Sequence, residues 1–353
     1  EQGMPQQLQE KAKNITGLVY YDLAFYQALQ GKKKAALKNF EKAFNSGWND
    51  YNHAKGDSDI DNLRKEKKYL EIMAKMRLDS DYLYILQQAE GYNRTETKPI
   101  CYNESVTDTL PRFTYMNPND SNLVQLRKHF NLDSIAGSGD EISKIKNLLY
   151  WVHNIVPHDG NSRNPEERNT IAMVELCKKE NRGVNCRMMA QMLNECYLAM
   201  GFKSRFITCM PKVMINDCHV INAVYSNTLD KWLWMDPTFN AYVTDEKGNL
   251  LGIGEVRERL RNNQPVVLNE DANWNNKNKQ TKEYYLDYYM AKNLYYVTCP
   301  LQSEYNAETN YPGKKWPMYI SLVPEGYSSN GKPGATAYDS HNDSYFWQSP
   351  YQE

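Results

Sequence analysis

Apolar residues recur at helical spacing through the first eighty positions of the chain. Between Asn14 and Gly47 two such stretches follow one another. The first carries Leu18, Tyr21, Tyr26 and Leu29 and breaks at Gly31; the second carries Ala36, Phe40, Ala43 and Phe44 and ends near Gly47. A third helix is predicted over Ser58 to Met76, with Ile60, Leu63, Tyr69, Leu70 and Met73 as its apolar positions. Residues 78–120 mix short apolar pieces, Tyr82 to Leu86 and Phe113 to Met116, with Asn, Thr, Pro and Asp, which reads as a linker with one or two strands. Ser138 and Glu141 then form a capping-box pattern, and Ile142, Ile145, Leu148, Leu149 and Val152 behind it predict an amphipathic helix to about Ile155. A polar loop from Pro157 to Asn169 leads to a short helix, Ile171 to about Lys179.

From Gly183 the pattern changes to helix followed by strands. A turn, Gly183-Val184-Asn185, leads directly into a helix whose apolar face is Met189, Met192, Leu193, Cys196 and Met200, closed by Gly201. Three strands are predicted next: Arg205 to Cys209, His219 to Tyr225, and Trp232 to Asp236, the last two joined by a turn around Asn227 to Asp230. A charged helix from Glu255 to Arg261, Asn-rich loops, the aromatic run Tyr284 to Tyr289 and alternating strands between Trp316 and Tyr351 complete the chain. The order predicts an α+β protein with four parts: a helical region over 1–80, a linker over 81–130, a core over 131–260 and a Tyr-rich, β-rich extension over 261–353. Tyr20, Gly31, Ala36, Phe40 and Ala43 fall at the spacing of a tetratricopeptide repeat, which the first hairpin resembles. One and a half repeats cannot bury their own faces, so this unit is expected to dock on the remainder.

Composition narrows the function classes. Of 353 residues, 41% are hydrophobic and 24% charged, enough for a real core. The formal net charge of −1, with both signs spread along the chain, leaves no basic stripe for nucleic acid or anionic lipid. No run approaches the ~20 apolar residues of a membrane span. Seven cysteines, an odd number, leave at least one thiol free, and no CxxC or Cys/His cluster has zinc-ligand spacing, so neither a metal nor another cofactor is expected.

The candidate chemistry lies at Cys186. A cysteine at a helix start meets the positive end of the dipole and free backbone N–H groups, which favour the thiolate and stabilise an oxyanion. His219 and Asp236 sit near the ends of adjacent predicted strands, where a hairpin brings them side by side as a base and the acceptor that orients it. The order Cys, His, Asp, with the signatures G-x-x-C, G-F-x-S-R, H-V and W-x-x-D-P-T between Gly183 and Thr238, resembles the transglutaminase-like superfamily. The resemblance implies a papain-like core in which the helix bearing the nucleophile packs on an antiparallel sheet. It further implies Cys186 as nucleophile, His219 as general base and acid, Asp236 as orienting carboxylate, and an upstream oxyanion partner, for which Trp151 is the candidate. His153 and His158 are read as surface or structural histidines. A second thiol, Cys218, beside the expected base departs from the family pattern.

On this reading the chain is a cysteine acyl-transfer enzyme acting on amide bonds, a peptidase or amidase, with a peptide or protein substrate that includes cell-envelope peptides. An exported location, as a periplasmic, surface or lipid-anchored protein after signal removal, is the matching expectation. The alternatives are a protein-glutamine transglutaminase with an amine acceptor, and a non-enzymatic scaffold that uses the helical repeat.

Overall fold

The computed structural model describes residues 6–88, 102–103, 110–212, 218–329 and 337–351. The chain divides into two compact units, Glu1–Pro99 and Ile100–Glu353. Among the described residues, no helix is long and apolar enough to cross a membrane.

The first unit is helical: α1 (Gln6–Leu29), α2 (Lys33–Asn45), α3 (Tyr51–Gly56), a 3-10 segment (Ser58–Leu63), α4 (Lys67–Ser80) and α5 (Tyr82–Gln88). The hairpin α1–α2 turns at Gly31, which has a φ of 73° that suits glycine. Three expectations need correction. Leu18, Tyr26 and Leu29 are exposed, and the face of α1 that is buried runs through Tyr21, Ala24 and Ala28. Small residues win that face because they let backbones approach: a Cβ on Gly17 would lie 2.7 Å from Cβ of Trp48, whose ring stacks on Tyr21 at 3.8 Å. The helix expected over Ser58 to Met76 is interrupted around Arg64 to Glu66, and Leu70 is exposed. The piece from Tyr82 to Leu86 belongs to a helix, and the strand among the described residues of this region is Thr114–Tyr115, paired with Gln302–Ser303.

The second unit places helices against one mixed sheet. Among the described residues its α-helices of five or more residues are α6 (Ser121–His129), α7 (Leu132–Ala136), α8 (Glu141–Ile155), α9 (Thr170–Glu180), α10 (Cys186–Ala199) and α11 (Ile253–Arg261). The strands of this sheet are β1 (Ser204–Met210), β2 (His219–Ser226), β3 (Lys231–Met235), β4 (Tyr296–Pro300), β5 (Tyr319–Leu322) and β6 (Ala337–Ser340). Their order in the sheet is β6-β5-β4-β1-β2-β3, antiparallel except for the parallel pair β5–β6. The stretch after residue 261 therefore supplies half of the sheet. Strand β2 is buried along its whole length, which matches the apolar residues Val220, Ile221, Ala223, Val224 and Tyr225 on either side of Asn222 and its place between β1 and β3.

Helix α10 is the centre of this unit. Every residue from Met188 to Ala199 is buried, against α6, α8 and α9 on one side and β1 and β2 on the other. Its buried polar side chains tie it to neighbouring elements: Gln191 donates to Glu308, Asn194 donates to Ser303, and Glu195 accepts from Thr170 and from the Asn306 N–H, whereas Gln191 Oε1 and Asn194 Oδ1 are buried with no partner among the described residues. Asn222 of β2 donates to the Ala190 carbonyl at 2.9 Å and fixes the helix on the sheet.

The capping pattern before α8 is resolved differently from its sequence reading. Asp140, not Ser138, is the N-cap, accepting from the Ser143 N–H at 2.8 Å. Glu141 is thereby free to reach the β2–β3 turn, where it accepts from the Ser226 hydroxyl and from the N–H groups of Asn227 and Thr228 at 2.7–2.9 Å. Burial opposes the Glu141 charge, but these donors outweigh it and hold the carboxyl below its ordinary range. The stabilisation is thus present at neutral pH and disappears as pH falls through that lowered value. Glu141→Ala is expected to cost about 1–2 kcal/mol in urea unfolding at neutral pH, with a smaller penalty in acid. An equal penalty at every pH would contradict the assignment.

Candidate active site

Cys186 is the first residue of α10, and the turn before it is set by close packing. Asn185 caps the helix, its side chain accepting from the Met188 N–H at 3.2 Å. Gly183 lies so close to the chain at Pro157 that a Cβ would sit 2.4 Å from the Pro157 carbonyl oxygen. Only glycine fits there, and that contact fixes where the helix begins. Cys186 is partly exposed and packs beside Ala190, Phe206, Val220 and Ala307. The next residue, Arg187, pairs with Glu308 at 2.8 Å and donates to Thr208.

His219 and Asp236 meet because of the hairpin. Strand β2 begins at His219 and the antiparallel β3 ends at Met235, so the start of one and the end of the other lie at the same edge. Asp236 follows in a tight turn: its backbone pairs with Ala241 in both directions, and its Oδ1 accepts from the Thr238 N–H at 2.8 Å. Its Oδ2 accepts from Nε2 of His219 at 2.7 Å and from the Tyr285 hydroxyl at 2.6 Å. Both residues are essentially inaccessible to water. With Nε2 turned to Asp236, Nδ1 is the other ring nitrogen, 3.4 Å from the Tyr289 hydroxyl, and the imidazole acts on the Cys186 thiol as a hydrogen-bond partner and as a charge. Phe239 and Tyr289 pack on the imidazole with centroids 5.5 and 5.1 Å away.

The electrostatics favour a thiolate–imidazolium pair. Burial alone raises the Cys186 thiol, but hydrogen bonds from His158 and His219, and the charge on His219, bring it down to about 6. Burial alone lowers the His219 pKa, but the Asp236 charge and hydrogen bond, with the thiolate of Cys186, push it up to about 10. The two groups titrate as a pair, so the ion pair forms as pH rises through about 6 and is lost toward about 10. Thiolate absorbance in the ultraviolet is therefore expected to show a step near pH 6 that Cys186→Ala removes. A thiolate appearing only at about pH 8.5, as for an ordinary cysteine, would contradict this environment.

Burial and the nearby Asp236 charge keep the Tyr285 hydroxyl far above its usual range, so it remains a donor to Asp236. Tyr285 opens a π-helical segment, Tyr285–Met290, that also supplies Tyr289. Neither residue carries a local motif, and only the density of tyrosine in that run hinted at them.

The histidines differ from their sequence reading in one case. His153 is buried and structural, hydrogen-bonded to the Pro237 carbonyl and to Asn273. His158 is no bystander: as a hydrogen-bond partner it helps lower the Cys186 thiol, and its ring accepts at Nδ1 from the Trp274 indole N–H at 3.0 Å. Trp151, the sequence candidate for an oxyanion partner, packs on Phe130 at 5.0 Å in the helical core. The six described cysteines are free thiols; Cys101 lies outside the described residues.

Residues 128–237 match the profile of the transglutaminase-like superfamily, a span that contains α8, α9, α10, β1–β3, Cys186, His219 and Asp236. Among solved structures, a candidate cysteine protease from Cytophaga hutchinsonii is similar at 16% identity, over 41% of this chain and 46% of that chain, with a TM-score of 0.26. No curated protein matches the chain.

Proposed function

We propose that this chain, which carries a transglutaminase-like domain over residues 128–237, is a cysteine acyl-transfer enzyme that hydrolyses amide bonds in peptides or proteins. The observation that carries the reading is a partly exposed cysteine at a helix start, hydrogen-bonded to an imidazole whose other nitrogen is held by a buried carboxylate at 2.7 Å.

In this mechanism the Cys186 thiolate attacks the carbonyl carbon, and the π electrons move onto oxygen as the C–S bond forms. His219, protonated at Nδ1, gives that proton to the amide nitrogen as the C–N bond breaks, and the amine leaves. The neutral imidazole then takes a proton from water, whose oxygen attacks the thioester; collapse expels Cys186 as thiolate and regenerates the pair. Asp236 keeps Nε2–H directed inward and stabilises the imidazolium. An amine in place of water would give transamidation by the same steps, and water is the default acceptor.

The test is to incubate the enzyme with a casein digest and with a dansylated alkylamine. The expected result is amide cleavage that depends on Cys186, with little fluorescent incorporation into protein. Predominant incorporation of the amine would mean a transglutaminase instead, and neither product would count against acyl transfer to amides.

A further inference from the structure

We propose that His158 is a catalytic residue: the side-chain hydrogen-bond donor to the oxyanion that forms when Cys186 attacks a carbonyl. This rests on the acyl-transfer reading above and adds a role that Trp151 was expected to fill.

The backbone at His158 is fixed beside the nucleophile. His158 and Val184 form a parallel bridge, with the Asp159 N–H donating to the Val184 carbonyl at 2.8 Å and the Val184 N–H to the Pro157 carbonyl at 3.1 Å. Cys186 is two residues on. The side chain of Asn275 grips the same residue from the other side: Oδ1 accepts from the His158 N–H at 2.7 Å, and Nδ2 donates to the His158 carbonyl at 2.9 Å. The ring therefore projects from a backbone held on both edges.

The ring's tautomer follows from its partners. Trp274 has only an N–H to offer, so Nδ1 of His158 must accept and carries no proton. The ring proton is then on Nε2, the nitrogen not engaged by the indole, and His158 acts on the Cys186 thiol as a hydrogen-bond partner that favours the thiolate. Acting as a base would require a proton at Nδ1, directly against the indole N–H. Among the described residues no carboxylate ion-pairs with this imidazole, whereas His219 has Asp236. Two imidazoles thus flank one sulfur with opposite capacities: His219 exchanges a proton and His158 only donates a hydrogen bond.

The donor is useful where charge moves. In the resting pair, Nε2–H of His158 supports the thiolate. As the C–S bond forms, the charge passes to the carbonyl oxygen, one bond from the sulfur's new partner, and a donor already aimed at the sulfur can follow it. The backbone N–H of Cys186, at the start of α10 where the helix offers it no partner, is the complementary donor. Trp274 acts through His158 and is a positioning residue.

Two reactions of the same thiolate separate this role from a merely structural one. Alkylation by iodoacetamide displaces iodide and creates no oxyanion; acylation by p-nitrophenyl acetate passes through one. Limiting rates for both are compared at pH values where Cys186 is fully ionised in each variant. His158→Ala is expected to slow acylation by about 10²–10³-fold while leaving alkylation within a few-fold. His158→Gln, which keeps a donor, should recover part of the loss. Trp274→Phe, which releases the tautomer without touching Cys186, should slow acylation selectively and carries the test should His158→Ala not fold. Parallel losses in both reactions, or unchanged acylation, would overturn the proposal. A parent enzyme that is alkylated at Cys186 but never acylated there would instead overturn the acyl-transfer reading.

Discussion

Cys186→Ala is expected to abolish acyl transfer, lowering turnover by on the order of 10⁶-fold, as removal of a covalent nucleophile does elsewhere. The fold should survive. The cap of α10 is the Asn185 side chain, and the sulfur is a small group beside Ala190, Phe206, Val220 and Ala307. Thermal unfolding should change little, while the acyl-enzyme mass disappears. A variant that keeps turnover within tenfold of the parent would mean that another group forms the covalent bond.

Asp236→Asn is expected to lower turnover by about 10⁴-fold. The carboxylate accepts from His219 Nε2, Tyr285 and the Thr238 N–H, all in a site closed to water. In the asparagine variant Oδ1 can still accept from Thr238, but the amide NH₂ would face His219. Nε2 would then have to accept, which places the ring proton on Nδ1, where the imidazole cannot take one from Cys186. The alanine variant should be as inactive and less stable, because it leaves the Tyr285 hydroxyl and the Thr238 N–H without their acceptor. Parent-like turnover in either would reduce Asp236 to a turn residue before Pro237.

Much of the scaffold around the candidate site was legible because its signals are local. A glycine turn running into an apolar helix, and short strands rich in apolar residues, are patterns that neighbours in sequence create. Elements were misread where two local solutions compete. Ser138 and Asp140 both suit an N-cap, and Asp140 takes the position while Glu141 turns to the β2–β3 hairpin. In α1, the large residues Leu18, Tyr26 and Leu29 looked like the core face, yet close helix approach favours the stripe through Tyr21, Ala24 and Ala28. The remainder of the site could not be read locally. Tyr285 reaches Asp236 across 49 positions, Trp274 reaches His158 across 116, and Glu308 reaches Arg187 across 121. Such contacts exist only once β4 and β5 have joined β1 in one sheet.

The measurement that bears most directly on the central claim is peptide-resolved labelling of the thiols by iodoacetamide across pH. Cys196 and Cys209 are buried and their thiols are pushed well above the ordinary range by that burial, and Cys299 is pushed up to about 11. These three should remain unlabelled in the folded protein. Cys186 should react first, with a rate that rises around pH 6 and is already at its plateau at neutrality. The result that would contradict the account is a Cys186 that labels no faster than Cys218, the other partly exposed thiol among the described residues, or only as pH climbs through about 8.5.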